Sequence, residues 1–256
     1  MAHLILVAGH AIWEDGVWKG GYSGQEGAYE EHLLWGIKLA TMKNNSTLVL
    51  SGGQTRPHLN TAKTEAQGMR NFIQESYPGL FSDTIFCNNS HENSFFLPEI
   101  VCENFARDSF ENVLFSCLAF YEKKKEWPET MTVVSFGFKG QRFNAIAVGL
   151  KISSFSLLSS GDRHLSFAQR ERAVKGEAIT MRRMTKNING ELHLWDPLHR
   201  SDELQKTRLS RTPRKLNEHD YINKVKESYG FEDLLSKLES IPPGYLHWKG
   251  INWPWE

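Results

Sequence analysis

The stretch HLILVAGH, residues 3–10, decides the fold, because it is a short apolar run that ends at Gly9 and the polar His10. Such a run predicts a buried parallel strand that leads into a functional loop. A Gly-rich segment follows over 13–27, and apolar residues then recur at helical spacing over 33–40. The sequence therefore predicts strand, loop and helix in series, which is the first half of a βαβ unit.

The same cycle repeats further along the chain. A β-rich run over 47–50 closes on Ser51, Gly52 and Gly53, and a helix is predicted over 61–76. The later pattern predicts a helix from Asp108, a strand over 132–135, a helix over 142–150, a strand over 152–158 and a helix over 167–184. A further strand is predicted at either 84–87 or 100–102, and the pattern does not choose between them.

This alternation covers about 180 residues and is typical of right-handed βαβ crossovers. It predicts an α/β fold: a doubly wound, Rossmann-like, mostly parallel sheet in three layers, with a ligand site at the carboxyl ends of the strands. We expect this domain to span 1–186. Residues 187–256 form a predicted aromatic-rich C-terminal extension packed on the domain, and its tryptophans are either a structural brace or a partner surface.

Composition limits the classes of partner. The 30 basic and 30 acidic side chains cancel, which argues against nucleic acid or an anionic membrane surface. The apolar run over 4–8 is too short for a membrane anchor, and the three widely spaced Cys residues predict reduced thiols and a cytoplasmic location. His193 and His199 match no ligand motif, so no metal is predicted. The basic run over 200–215 is either a solvated face or a segment that closes over an anionic ligand or RNA.

Short motifs follow one another at the predicted strand ends. They are Gly9, the Ser51-Gly52-Gly53 turn, the Glu65-Ala66 pair, Glu103 followed by Ser109-Phe110-Glu111-Asn112, and Ser135 followed by Lys139 and Arg142. In this order they resemble the YdcF, SanA and ElyC proteins, whose shared module is called domain of unknown function 218. The resemblance covers residues 4–158 and implies a Rossmann-like fold with a polar pocket. Lys139 stands where that group usually has His.

The candidate ligand-binding residues are Gly9, Ser51, Gly52, Gly53, Ser109, Asn112, Ser135, Lys139 and Arg142. Gly52 and Gly53 either present N–H groups to an anion or only permit a tight turn. Lys139 and Arg142 are expected near a helix start, where a cation is unfavourable to the helix dipole. We therefore expect them to hold an anionic ligand, with a solvated pair as the alternative.

Three titratable residues are candidates for proton transfer: His10, Glu65 and Glu103. The alternatives are a structural hydrogen bond for His10, helix-dipole complementation for Glu65 and a surface acid for Glu103. Ser109 and Asn112 are either helix caps or ligand contacts.

The sequence thus predicts an enzyme, a hydrolase or a transferase, that acts on a small anionic or nucleotide-like metabolite. S-adenosylmethionine or another adenosine compound is among the ligands to test. Neither the dinucleotide fingerprint nor the phosphate-loop ending is present in the sequence, so a nicotinamide cofactor is not expected. The alternatives are a non-catalytic ligand-binding or regulatory module and a scaffold that works through the aromatic tail.

Overall fold

The computed structural model describes residues 1–81, 99–184, 210–213, 216–239 and 253–255. Their strands are β1 (His3–Ala8), β2 (Ile12–Glu14), β3 (Val17–Lys19), β4 (Ser46–Ser51), β5 (Glu99–Glu103), β6 (Thr130–Ser135) and β7 (Phe155–Ser159). Their helices are α1 (Glu26–Met42), α2 (Glu65–Ser76), α3 (Ser109–Lys124), α4 (Gly140–Gly149), α5 (Phe167–Met184), α6 (Glu218–Tyr229) and α7 (Glu232–Glu239).

A parallel sheet of five strands forms the centre, in the order β5-β4-β1-β6-β7. The central strand β1 is buried along its whole length. The chain winds outward from β1 through β4 to β5 and then returns to build β6 and β7 on the other side. This confirms the predicted doubly wound α/β fold. The winding reverses between β1 and β6, and ligands of such sheets bind at this switch point, outside the carboxyl ends of the strands.

The two faces of β1 explain the three layers. Leu4 and Leu6 pack in one apolar cluster with residues of α3 and α4, whereas Ile5 and Val7 pack in another with residues of α1 and α2. Successive side chains of a strand point to opposite faces, so a continuous apolar run covers both. These four side chains are at most 1% exposed, and burying each one stabilises the fold by ~1.5–3 kcal/mol.

A β-hairpin over residues 12–19 occupies the start of the segment 13–27 that was expected to be a Gly-rich loop. Its strands β2 and β3 pair antiparallel around Asp15 and Gly16, whose φ angles are 55° and 75°. Two successive positive φ angles fit the type I′ turn that Asp-Gly pairs favour. The hairpin packs on α2, where the Trp13 and Phe72 rings meet edge to face at 5.1 Å. The expectation of a loop was therefore wrong for these residues.

Several helix and strand starts differ from their predicted positions. Helix α2 begins at Glu65 and not at 61, because Thr64 is its N-cap and accepts the Gln67 backbone N–H at 3.1 Å. Helix α4 begins before residue 142, at Gly140. Strand β7 begins after residue 152, at Phe155.

Two other sequence predictions concern β5 and α3. Strand β5 contains residues 100–102, and the alternative at 84–87 lies outside the described residues. Asp108 caps α3 as predicted, because its side chain accepts the backbone N–H groups of Phe110 and Glu111 at 2.9 Å. The Glu111 carboxylate accepts the N–H of Arg107 and so departs from a reciprocal capping box.

The described C-terminal residues pack on the sheet domain. Ile222 and Val225 of α6 are fully buried in the same cluster as α3. Trp253 is 2% exposed, and the Trp255 indole N–H donates to the Leu150 carbonyl at 2.8 Å. The boundary expected after residue 186 lies outside the described residues and stays a prediction. No helix within the described part of the chain is both long and apolar enough to span a bilayer.

Candidate functional site

A cavity of about 700 Å³ opens at the carboxyl ends of the central strands. Its size lies within the range of ~300–1,000 Å³ that is usual for small-molecule sites. The loop after β1, the first turns of α2, α3 and α4, and one face of α5 surround it. Its lining includes Gly9, His10, Tyr22, Tyr29, Thr55, Arg56, Glu65, Arg107, Asp108, Ser109, Asn112, Phe136, Phe138, Lys139, Arg142, Gln169, Arg172, Glu177 and Arg211.

The cavity brings together most of the residues singled out from the sequence. Those that line it are Gly9, His10, Glu65, Ser109, Asn112, Lys139 and Arg142. Those that do not line it are Ser51, Gly52, Gly53, Glu103 and Ser135. The second group lies at or just beyond the ends of β4, β5 and β6, and Ser51, Glu103 and Ser135 are fully buried.

The Ser51-Gly52-Gly53 turn uses its N–H groups within the fold. The Gly52 N–H donates to the Glu103 carbonyl at 3.0 Å, and the Gly53 N–H donates to the Ala106 carbonyl at 2.7 Å. These donors are therefore engaged and do not form an anion cradle. The tight-turn alternative describes the structure better.

Glycine is needed at two places because the Glu65 side chain lies against the backbone there. A Cβ atom added at Gly9 would lie 2.5 Å from Glu65 Oε2 and 2.7 Å from Glu65 Cβ. A Cβ atom added at Gly52 would lie 2.7 Å from the same carboxylate oxygen. The Gly-ended strand and the S-G-G turn thus make room for Glu65.

Glu65 is a buried carboxyl group on the cavity wall and is 5% exposed. Its Oε1 accepts a hydrogen bond from the Thr55 hydroxyl, and Arg56 Nε lies 4.0 Å from the same oxygen. Burial raises the pKa of Glu65, although Arg56 and Thr55 oppose the shift. A carboxyl group with a raised pKa can exchange a proton with a bound molecule.

Lys139 and His10 form the second polar pair on the wall. Lys139 Nζ lies 3.2 Å from His10 Nδ1. When Lys139 is protonated its ammonium group can only donate, so the imidazole N–H is then at Nε2. Burial, with help from nearby Arg142, lowers the pKa of Lys139 to about 7. Burial and the charge of Lys139 hold the pKa of His10 well below its usual value. The site thus places a neutral imidazole beside an amine that ionises near neutral pH.

His32 extends this pair into the fold. Its ring centroid lies 5.4 Å from that of His10, and its Nε2 is 3.0 Å from the Ser160 carbonyl oxygen. The carbonyl can only accept, so Nε2 carries the hydrogen and Nδ1 is unprotonated. Burial lowers the pKa of His32 to about 4. His10 Nε2 and His32 Nδ1 are both buried without a hydrogen-bond partner.

Arg142 has a protein partner that the sequence did not indicate. Its Nη2 lies 2.9 Å from Glu177 Oε2 on α5, and burial raises the pKa of Glu177. Arg142 Nε and Glu177 Oε1 are buried without hydrogen-bond partners. The alternative of a solvated pair of cations is therefore wrong for Arg142, which is engaged in a partly buried ion pair.

Arg107 and Glu111 fix the start of α3 with a fully buried ion pair. Arg107 Nη2 lies 2.6 Å from Glu111 Oε1, with side chains 1% and 0% exposed. Arg107 also donates to the Thr212 hydroxyl at 3.0 Å and lies 3.9 Å above the Tyr221 ring. The Arg211 guanidinium donates to the Arg107 carbonyl at 2.7 Å. This cluster connects the described C-terminal residues to the cavity wall.

Glu103 is a buried acid, not a surface one. It is 0% exposed, and its Oε1 accepts the Phe105 N–H at 2.6 Å. Burial raises its pKa to about 7 even though this hydrogen bond and those of Ser51 and Ala106 oppose the shift. Since Glu103 does not line the cavity, it is not placed to touch a ligand there.

Sequence reasoning missed several residues of the site, including Thr55, Arg56, His32 and Glu177. Thr55 and Arg56 come one residue after the S-G-G turn, so their place near a strand end was a usable signal. His32 and Glu177 lie within helices α1 and α5, whose amphipathic pattern gave no sign that they reach the site.

The described residues contain no group of three or more His, Cys, Asp or Glu side chains placed to hold a metal ion. His193 and His199 lie outside these residues.

Comparison with known proteins supplies little further information. The chain is 29% identical over 139 residues to the uncharacterized protein YOR238W of Saccharomyces cerevisiae. The match covers 45% of this chain and 46% of the yeast protein, so the similarity spans about half of each. No family model matches the chain, and no solved structure matches it.

Proposed function

We propose that the chain is an enzyme, a hydrolase or a transferase, that acts on an anionic, nucleotide-like metabolite in this cavity. The charge of the cavity lining carries the proposal. Arg107 is set apart because its partner Glu111 lies outside the lining. The other lining cations are Arg56, Lys139, Arg142, Arg172 and Arg211, and the lining carboxyl groups are Glu65, Asp108 and Glu177. Burial raises the pKa values of Glu65 and Glu177. An anion would relieve the repulsion between these cations.

Aromatic side chains at the cavity support a nucleotide-like ligand. Tyr22 lines the cavity and is 75% exposed. Phe138 also lines it and stacks on Phe136, with centroids 5.1 Å apart and planes inclined by 18°. Flat aromatic faces beside a cationic pocket suit a ligand with a planar base and an anionic group. S-adenosylmethionine or another adenosine compound therefore belongs in the first screen.

The buried polar groups supply the proposed chemistry. As a carboxylate, Glu65 takes a proton from the attacking water or hydroxyl group, whose oxygen bonds to the substrate as the bond to the leaving group breaks. Glu65 then gives this proton to the leaving group and returns to the carboxylate form. Arg56 and Lys139 stabilise the negative charge that develops on the substrate. His10 holds Lys139 in position through its Nδ1 atom.

Two other proposals compete with this one. A non-catalytic binding module would use the same cavity without turnover. A scaffold acting through the aromatic tail is less well supported, because Trp253 and Trp255 stack on each other at 5.2 Å and Trp253 is buried. We also propose that the chain is a divergent relative of the YdcF, SanA and ElyC proteins, since Gly9 and Glu65, two of their shared positions, meet in this cavity.

A ligand screen with a matched pair of variants tests the proposal. Purified protein is screened by thermal shift against nucleotides, S-adenosylmethionine and sugar phosphates at millimolar concentration. Arg172 and Arg170 are both exposed on α5, but Arg172 lines the cavity and Arg170 does not. We expect Arg172→Gln to weaken binding of a hit several-fold and Arg170→Gln to leave it unchanged. Equal binding by both variants, or no hit at all, would count against the proposed site.

Turnover separates the enzyme from the binding module. The hit is incubated with protein, and product is sought by mass spectrometry. We expect Glu65→Gln to keep binding the hit and to lose product formation. Stabilisation by the hit with no product from the wild-type protein would favour the binding module instead.

A further inference from the structure

A chain of three buried polar groups lies beneath the cavity. Ser51 ends β4 and Glu103 ends β5, and the two residues are paired in the sheet. Asn112 lies in the first turns of α3 and lines the cavity. Ser51 Oγ is 2.5 Å from Glu103 Oε2 and 2.8 Å from Asn112 Oδ1. Both distances are those of hydrogen bonds between oxygen atoms.

Counting hydrogens shows what these distances require when the Asn112 amide oxygen faces Ser51. The Ser51 hydroxyl has one hydrogen, and a carboxylate oxygen and an amide oxygen can only accept. One hydrogen cannot be donated to both neighbours. A proton on Glu103 Oε2 resolves the conflict, because Glu103 then donates to Ser51 and Ser51 donates to Asn112.

The surroundings of Glu103 favour this proton. Oε1 accepts the Phe105 and Ala106 N–H groups at 2.6 and 3.1 Å, and the Ala106 N–H also lies 3.3 Å from Oε2. These hydrogen bonds oppose the proton, but the complete burial of the side chain outweighs them. The titratable groups around it are Glu111 of α3 and Tyr229 of α6, and the Tyr229 hydroxyl donates to Oε1 at 3.4 Å. Glu111 adds negative charge nearby, which disfavours a second carboxylate.

The Cys102 thiol of β5 is a third titratable group near Glu103. Its pKa is raised, chiefly by burial, so the thiol stays neutral and brings no positive charge to Glu103.

We propose that Glu103 is a positioning residue, held as a neutral acid, that acts through Ser51 to point the Asn112 amide NH₂ group into the cavity as a hydrogen-bond donor. The ligand atom that this donor recognises is an oxyanion or carbonyl oxygen. The inference rests on the proposed function, because the cavity must bind an anion for the donor to be used. It adds a specificity-determining residue, Asn112, and explains why a serine and a buried acid lie beneath it.

Ionisation of Glu103 reverses the direction of the two hydrogen bonds that join Glu103, Ser51 and Asn112. Ser51 then donates to the Glu103 carboxylate, and its oxygen accepts from Asn112 Nδ2 after the amide rotates by half a turn. The Asn112 carbonyl oxygen would now face the cavity and repel an anion. Binding of an anion at this position is therefore linked to the proton on Glu103 and weakens as the pH rises above the pKa of Glu103.

Nuclear magnetic resonance of the ligand-free full chain tests the positioning step directly. The Glu103 side-chain carboxyl carbon and the Asn112 side-chain NH₂ signals are followed from pH 5.5 to 8.5. We expect both to shift with one midpoint near pH 7. In Glu103→Gln, whose amide mimics the neutral acid, the Asn112 signals should stay constant over the same range. A Glu103 carboxylate already ionised at pH 5.5, or an Asn112 signal that ignores Glu103, would overturn the inference.

A pair of serine variants controls for packing. Ser51→Ala removes the hydroxyl group that joins Glu103 to Asn112, so the Asn112 signals should no longer follow the titration of Glu103. Ser116→Ala is the control: it removes a buried hydroxyl group in α3 that has no hydrogen-bond partner. The Asn112 signals should still follow the titration of Glu103 in this variant. Coupling that persists in Ser51→Ala would also overturn the inference.

Sulfate binding tests the ligand step, because the charge of sulfate is constant over this pH range. The ratio of the sulfate dissociation constants of the wild-type protein and Glu103→Gln should rise above the midpoint and reach about tenfold one pH unit higher. A constant ratio with a coupled titration would overturn the assignment of Asn112 as a ligand donor. Failure of both proteins to bind sulfate at any pH would instead count against the proposed anion site. The resonance experiment needs no ligand, so it would still test whether Glu103 positions Asn112.

Discussion

Replacing Lys139 by methionine should make the protein more stable while it weakens anion binding. Burial lowers the pKa of Lys139 from 10.5 to about 7, and one pKa unit corresponds to ~1.4 kcal/mol, so the buried ammonium destabilises the fold by about 3–5 kcal/mol. The variant also removes the donor to His10 Nδ1, and an unpaired buried acceptor costs about 1–3 kcal/mol. The net expectation is a gain of about 0–4 kcal/mol, or up to about 16 °C in melting temperature.

The pH dependence of this gain has a definite sign. The pKa of Lys139 is lower in the folded protein than in the unfolded chain, so the unfolded chain keeps the proton over the interval from about 7 to 10.5. The destabilisation is therefore complete below pH 7 and disappears as the pH rises through that interval. The difference in melting temperature between Lys139→Met and the wild type should accordingly be large at pH 6.5 and small at pH 9.5.

Thermal unfolding of Lys139→Met, with Lys38→Met as the control, measures the predicted change in melting temperature. Lys38 lies on the exposed face of α1 above the Trp35 ring, so its replacement should change stability little at any pH. A melting temperature of Lys139→Met below that of the wild type at pH 6.5 would refute the reasoning. If Lys139→Met bound a ligand found in the screen as tightly as the wild type, the predicted loss of anion binding would be refuted.

Two further predictions concern the cavity wall. Gly9→Ala should lower the free energy of unfolding by about 1–3 kcal/mol and displace Glu65, because the new methyl group overlaps the Glu65 side chain. Gly79→Ala is the control, because no atom lies within 4 Å of the Cβ that it adds. Urea unfolding measures both variants, and Gly79→Ala should change the free energy little. Arg107→Met should destabilise the protein by about 3–5 kcal/mol, because it removes the guanidinium group from the buried Glu111 carboxylate. A second substitution, Glu111→Leu, should recover much of the loss. A double variant less stable than Arg107→Met would contradict that account of the ion pair.

The fold was predictable because its strongest signal is local. The apolar run at Leu4, Ile5, Leu6 and Val7 requires cover on both faces, and a parallel sheet between two helical layers is the arrangement that supplies it. The hairpin was missed although its Asp-Gly turn is also a local signal, because the glycines over 13–27 were interpreted together as a loop.

The chemistry of the site was less predictable, because it depends on partners distant in sequence. Lys139 contacts His10 across 129 positions, and Tyr229 reaches Glu103 across 126. Strand-end position correctly indicated which residues would gather at one edge of the sheet. It could not indicate that Glu103 would be fully buried beneath the cavity or that Arg142 would pair with α5, since burial and pairing arise only after the helices pack.

Glu103 and Lys139 together should make anion binding take up protons. Both groups have pKa values of about 7, one raised and the other lowered by burial. Below this pH Lys139 is charged and Glu103 is neutral, which is the state that attracts an anion and presents the Asn112 donor. As the pH rises, Lys139 loses its charge and Glu103 gains one, so both changes weaken the attraction. A bound anion must then favour the protonated form of each group, with uptake of up to about one proton per ligand near pH 7.

Calorimetric titration in buffers of different ionisation enthalpy measures this uptake. Glu103→Gln should remove about half of it, and binding with no proton uptake at pH 7 would contradict the shared role of the two groups.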